Sequence, residues 1–369
     1  MIPAKSKRQL AQVIPFGLII MLFGIVYSFV EKGILGDYPS YPSTGNSYFF
    51  DPISASFLTL ISGLIVGSIE VVFLNKRFQK NSFLEKIVYK TTIYMLLITV
   101  FTLGISMFSV AIELGTTPFD KRVLTNTSNF VSSFAFWTME IYISLAISIS
   151  LFYTEVSDNI GQGVLINFFT GKYHRPIEEE RIFMFLDMKD STAIAEKLGH
   201  VKYFEMLREY YADLTDPIIE FGGEIYQYVG DEVVVSWKQK KDETNNNCIN
   251  CFFAMKSTLS NQANKYNLEF GLVPTFKAGI HLGMVTTGEI GVVKKDIIFS
   301  GDVLNTTARI QGLCNKYAVD LLTSEQMIRA INLENEFQSR SIEEEVIALR
   351  GRNEKIKLFT IEKNEYNKM

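Results

Sequence analysis

Hydrophobic and polar positions along this chain change their pattern twice. Up to about residue 152, apolar side chains come in four long, nearly uninterrupted runs, at about 11–30, 53–74, 93–112 and 130–152. About 20 residues of helix cross a bilayer, so each run predicts a membrane span. Between 153 and 180 the hydrophobicity falls, and "NIGQGVLINFFTGKYHRPIEEE" holds one short amphipathic piece, 164–169, before Gly171, His174 and Pro176. From Arg181 onward, strand-like apolar runs interleave with helical periodicity. The expected organisation is a four-span unit over 1–152, a coupling segment or passive tether over 153–180, and a soluble unit over 181–369.

Basic residues orient the first part. The first run follows Lys5, Lys7 and Arg8, but its length and the lack of a small-residue cleavage site predict a retained anchor rather than a signal peptide. The loop after the second run carries Lys76, Arg77, Lys80, Lys86 and Lys90; the loop after the first has only Lys32, and that after the third only Lys121 and Arg122. The positive-inside rule then predicts a multi-pass protein of the cell membrane, with the N-terminus and the soluble unit both cytoplasmic. Glu70 and Glu140, near span ends, are expected to reach water at an interface. A net charge of −4 argues against nucleic acid as a partner. The three cysteines, Cys248, Cys251 and Cys314, all fall in the soluble unit, where so few suit a reducing compartment.

In the soluble unit a strand over 181–188 precedes a helix from Thr192 to about 220, which Gly222 and Gly223 stop. "GEIYQYVGDEVVVSW" predicts two strands joined by a tight turn at Gly230–Asp231; a helix holding Cys251 and Met255 follows, then the strand "TFKAGIHLGMVTTGEIG". Strand–helix–strand–strand–helix–strand is the ferredoxin-like order, so the expected class is α+β. In that topology Asp187, at the tip of the first strand, and Asp231, at the hairpin turn, converge at one sheet edge. Two carboxylates beside a helix N-terminus suit hard divalent cations on a triphosphate, with the Thr192 hydroxyl as a further donor. The plain alternative is two unrelated turn aspartates.

"FLDMKDST", "GGEIYQYVGDEVVVSW", "KAGIHLGMVTTGEIGV" and "GDVLNTTARIQG" stand in this order between Arg181 and Ile361. Together they resemble the catalytic domain of class III nucleotidyl cyclases, bacterial type, with an N-terminal membrane domain. The resemblance implies that Asp187 and Asp231, with the Met188 carbonyl, hold two Mg²⁺ or Mn²⁺ ions. It implies that Asn305 and Arg309, at i and i+4 on one helix face, orient the ribose and stabilise the reacting phosphate. Lys277 and Arg350 fall where the family has cations for the triphosphate. The implied reaction is attack of the ribose 3′-hydroxyl on the α-phosphate of a nucleoside triphosphate, giving a 3′,5′-cyclic nucleotide and pyrophosphate. Family cyclases place the acids and the Asn/Arg pair on opposite subunits, which implies a head-to-tail homodimer.

The base-reading positions depart from the family pattern. Gln227 stands where adenylate cyclases have a lysine, and Ile298 where they have Asp or Thr; the guanine-reading residues are also absent. ATP is the expected substrate from its prevalence in the family, and pyrimidine triphosphates stay open. Two readings of another class remain: a catalytically silent cyclase-like module that binds nucleotide or dimerises, and a receptor or transporter with an incidental cytosolic domain. Cys248 and Cys251 lack the further ligands a zinc site needs, His281 is expected to be structural, and Glu232 is expected to be a solvated strand residue.

Overall fold

The computed structural model describes residues 4–35, 52–78, 81–161, 164–239, 246–293, 295–331, 333–334, 336–349 and 352–364. The chain divides into two compact units, Ser6–Ile166 and a second built on Asn167–Met369. The boundary falls inside the expected coupling segment.

The first unit is helical: α1 (Ala4–Leu35), α2 (Pro52–Ile69), a π-helical turn (Glu70–Leu74), α3 (Asn75–Arg77), α4 (Phe83–Leu114), α5 (Lys121–Val131) and α6 (Phe134–Ile160). Four segments are long and apolar enough to cross a membrane: Gln9–Ile34, Ser56–Leu74, Phe83–Leu114 and Phe134–Ile160. These are the four runs seen in the sequence, with two shifts. The third helix starts at Phe83 because Ser82 and Glu85 close a capping box there, worth about 1 kcal/mol. The fourth starts at Phe134, where the Ser133 hydroxyl caps it by accepting from the Phe136 N–H, and continues to Ile160; the residues ahead of it form the separate short helix α5, capped by Asp120. Small residues let α1 and α2 approach closely: a Cβ on Gly63 would lie 3.0 Å from the Gly17 Cα, and one on Gly24 2.3 Å from the Thr59 hydroxyl. Glu70 and Glu140 do not reach water, contrary to expectation. They are 0% and 1% exposed; Glu70 meets the Lys90 ammonium at 2.6 Å, and Glu140 accepts from Thr99 at 3.1 Å. Partners inside the helix bundle replace the interface.

After α7 (Val164–Thr170), the second unit runs β1 (Ile177–Met188), α8 (Ser191–Leu198), α9 (His200–Glu220), β2 (Glu224–Val229), β3 (Glu232–Lys238), α10 (Asn247–Asn261), α11 (Ala263–Phe270), β4 (Phe276–Ile290), β5 (Asp296–Ser300), α12 (Asp302–Gly312), β6 (Leu321–Ser324), α13 (Glu325–Ala330), β7 (Phe337–Leu349) and β8 (Arg352–Lys363). Strand order is β2-β3-β1-β4-β6-β8-β7, with β5 paired to β4 off the main path. Its first four members, β2-β3-β1-β4, give the ferredoxin-like arrangement. β1 is antiparallel to both β3 and β4, and β4 is parallel to β6.

Strand β1 is buried on both faces, which explains its unbroken apolar run. Ile182, Met184 and Leu186 join the core that includes Leu207, Tyr210 and Phe252, while Phe183 and Phe185 pack with Val234, Val285 and Val303 on the other face. The single helix expected from Thr192 onward is two. Gly199 adopts φ 75° between α8 and α9, a left-handed setting that an L-residue enters at a cost.

Candidate active site

Register puts the acids together. Asp187 stands opposite Glu232 on β3 and opposite Lys277 on β4. Side chains directly opposite share a sheet face, so one acid is flanked by another and by a cation. The Lys277 ammonium is 3.4 Å from Asp187 Oδ2. Gly230, at φ 63°, turns the β2–β3 hairpin, and Asp231 follows it within hydrogen-bonding reach of Asp187. Burial pushes the Asp187 carboxyl up, the Asp231 carboxylate adds to this, and Lys277 pulls it back. Burial likewise raises the Glu232 carboxyl, reinforced by Asp187 and Asp231. Glu232 is therefore half-buried beside the acid pair rather than a solvated strand residue.

This arrangement fits a hard divalent cation. Asp231 Oδ2 is buried and has no hydrogen-bond partner among the described residues, an orphaned carboxylate oxygen of the kind a cation satisfies. No group of three or more His, Cys, Asp or Glu ligands occurs among the described residues. Mg²⁺ is commonly held by one or two carboxylates together with substrate phosphates, so a pair of acids suffices.

Helix α12 carries the Asn305 and Arg309 pair. Gly279 and Gly283 let it lie on β4: a Cβ at Gly279 would come 2.4 Å from the Gln311 backbone nitrogen, and one at Gly283 3.1 Å from Val303. Gln311 Nε2 then donates to Asp187 Oδ2 at 3.2 Å. Residues on an α-helix are about 100° apart. Arg309 is thus turned about 200° from Gln311, and Asn305 only about 40° from Arg309. Both are exposed, whereas Val303, Thr306, Thr307, Ile310 and Gln311 are buried. The Asn/Arg pair of one chain faces away from that chain's own acids.

The other expected residues are placed as follows. Met188 is buried beside Phe276 in the β1–β4 register, and Thr192 is exposed in the first turn of α8. Gln227 is exposed just after a bulge in the β2–β3 pairing. Ile298 is half-buried on β5, opposite Gly288. Arg350 lies outside the described residues. Gln311 was not anticipated, although its signal was present: a polar residue at a core-facing helical position, two after Arg309. A cavity of about 570 Å³ lined by His281, Thr306, Ser324 and Lys355 adjoins the buried face of α12 and contains neither acid. Cys248 and Cys251 are fully buried, and burial pushes the Cys248 thiol up to about 12.

The profile of the Adenylate and Guanylate cyclase catalytic domain matches residues 175–363. The chain belongs to this family. The chain is 32% identical over 211 residues to Adenylate cyclase 2 of Rhizobium meliloti (strain 1021), covering 57% of this chain and 58% of that protein. It is 27% identical over 184 residues to an adenylate cyclase of Anabaena cylindrica, covering 48% and 36%. The chain thus spans little more than half the length of the first relative and about a third of the second. Among solved structures, a bacterial light-regulated adenylyl cyclase superposes with TM-score 0.52 at 18% identity, covering 64% of this chain and 68% of that one. At that identity the likeness concerns the fold.

Proposed function

We propose that this protein is a membrane-anchored nucleotidyl cyclase, with its cyclase domain on the cytoplasmic side, that works as a head-to-tail homodimer on ATP. One observation carries the dimer: Gln311 points α12 at the chain's own Asp187 while Arg309 and Asn305 point away. A second copy, docked so that its α12 faces these acids, supplies the missing pair and forms two equivalent sites. The adenylate cyclase relatives support ATP.

Asp187 and Asp231, with the Met188 carbonyl, would hold Mg²⁺ or Mn²⁺. The bound ions supply Lewis acidity and charge neutralisation at the phosphates. The chain's own groups do the positioning. Asn305 of one subunit fixes the ribose so that its 3′-oxygen lies in line with the α-phosphate, and Arg309 stabilises the charge that builds there. The 3′-oxygen–phosphorus bond forms as the bond to the pyrophosphate oxygen breaks, and the hydroxyl proton leaves to water. Lys277, the first turn of α8 with Thr192, and Arg350 act on the triphosphate. Gln227 can donate to and accept from a base edge, whereas Ile298 offers only apolar contact.

Full-length protein with Mn²⁺ or Mg²⁺, offered ATP, GTP, CTP and UTP in turn, tests this reading. Cyclic AMP from wild type and none from Asp231→Ala is the expected result. A cyclic pyrimidine nucleotide would keep the enzyme and replace the base. Nucleotide binding without any cyclic product would leave a silent module.

A further inference from the structure

The helical unit holds a charged cluster that filling its interior does not require. Glu70, Lys90 and Glu155 are 0%, 1% and 2% exposed. The Lys90 ammonium donates to Glu70 Oε1 at 2.6 Å and to Glu155 Oε1 at 2.9 Å, with Asn75 Oδ1 at 3.5 Å. Lys86 donates to the other Glu155 oxygen at 3.1 Å, and Tyr94 to the other Glu70 oxygen at 2.9 Å. Asn75 and Gln12 both donate to Asp158. One connected network therefore touches α1, the α2–α3 segment, α4 and α6.

Apolar side chains of similar volume would join these helices without desolvating ions. What the ions add is register, and a π turn sets that register here. Residues five apart on an α-helix point about 140° apart, which would keep Glu70 and Asn75 from one ammonium. The wider turn, with the Asn75 N–H bonded to the Glu70 carbonyl, brings both to Lys90. Such π turns concentrate at functional sites. Relaxation to α-helix would rotate one partner away from Lys90, which is the second arrangement that a switch at this segment requires. Helix α6 carries Glu155 and Asp158, ends at Ile160 and leads by α7 into the cyclase domain.

We propose that the Glu70–Lys90–Glu155 cluster is the output latch of the membrane unit: closed, it holds α6 in one register against α2 and α4, and opening it changes the cyclase rate. The proposal rests on the cyclase reading above. Thr91 and Ser148 give a reporter, since their hydroxyls are 3.2 Å apart across α4 and α6 and the native cysteines are buried in the other unit.

Full-length Thr91→Cys/Ser148→Cys protein is assayed in membranes with and without Lys90→Met, which removes the cation that Glu70 and Glu155 share and leaves Glu155 only Lys86. The expected result is slower cross-linking and a cyclase rate altered about fivefold, returned to the wild-type rate when prolonged oxidation ties α4 to α6. If Lys90→Met fails to accumulate, Asn75→Ala/Tyr94→Phe gives the same readouts with a smaller change. An unaltered rate, or an altered rate with unchanged cross-linking, overturns the latch. Wild-type membranes that make no cyclic nucleotide refute the cyclase reading instead, before any variant is compared.

Discussion

Gly279→Ala tests the positioning of α12 most directly. A Cβ on residue 279 would sit 2.4 Å from the Gln311 nitrogen and 2.7 Å from its Cα. Both are backbone atoms, so no side-chain rotation relieves the contact. Ordinary van der Waals contact begins at 3.4 Å, so the helix must withdraw by 1.0 Å (3.4 − 2.4). That movement breaks the 3.2 Å bond from Gln311 to Asp187 and displaces Asn305 and Arg309 with the helix. A shift of about 1 Å in a positioning element costs about a hundredfold in rate, while overpacking costs about 1–3 kcal/mol of stability. The assay is kcat for cyclic nucleotide formation beside urea unfolding followed by Trp237 fluorescence in a Trp137→Phe background. Gly283→Ala is the internal comparison, because its Cβ would meet only the Val303 side chain, at 3.1 Å; its loss should be smaller. A Gly279→Ala enzyme that keeps the wild-type kcat, or that loses no more than Gly283→Ala, would refute the claim that this contact sets the catalytic face.

Arg309→Ala should lower kcat by about 10²–10³ with nucleotide binding retained, the scale for losing one transition-state donor. Mixing subunits of Asp231→Asn and Arg309→Ala should restore about a quarter of wild-type activity, since half the dimers are mixed and each holds one intact site; a mixture no more active than its components rules out the split site. His281, which bonds Ser324 at 2.7 Å, is held neutral because burial pushes its imidazole down to about 4. Its unfolded form titrates near 6.5 and binds the proton first, so its stability contribution is complete above about pH 6.5 and is lost as pH falls towards 4. The loss is about 3 kcal/mol, and His281→Gln should flatten the urea midpoint over that window. Arg181→Met removes a buried guanidinium bonded to Glu179, Glu224 and Ser236; Glu179 keeps Lys238 and Thr287 and Glu224 reaches solvent, so the cost in the same unfolding assay should be about 1–3 kcal/mol, set by the buried Ser236 hydroxyl.

Features whose signal is periodic and local could be read from the amino-acid order. Four long apolar runs were enough for four helices of bilayer length, and the unbroken run over 182–186 was enough for a strand buried on both sides. Asp187 and Asp231 could be placed at one sheet edge because a strand tip and a Gly-Asp hairpin turn are short-range features; Asn305 and Arg309 were singled out by the resemblance to cyclases, and their i, i+4 spacing put them on one helix face. Contacts between distant residues came only with the packed fold. Gln311 and Asp187 are 124 positions apart, Lys90 and Glu155 are 65 apart, and no local pattern links either pair. The two carboxylates near span ends looked wet because burial depends on neighbouring helices, and Glu70 found its counter-charge on one of them. Local periodicity chooses the elements; which polar groups meet is settled only when packing takes those elements out of solvent, where each buried charge needs a partner.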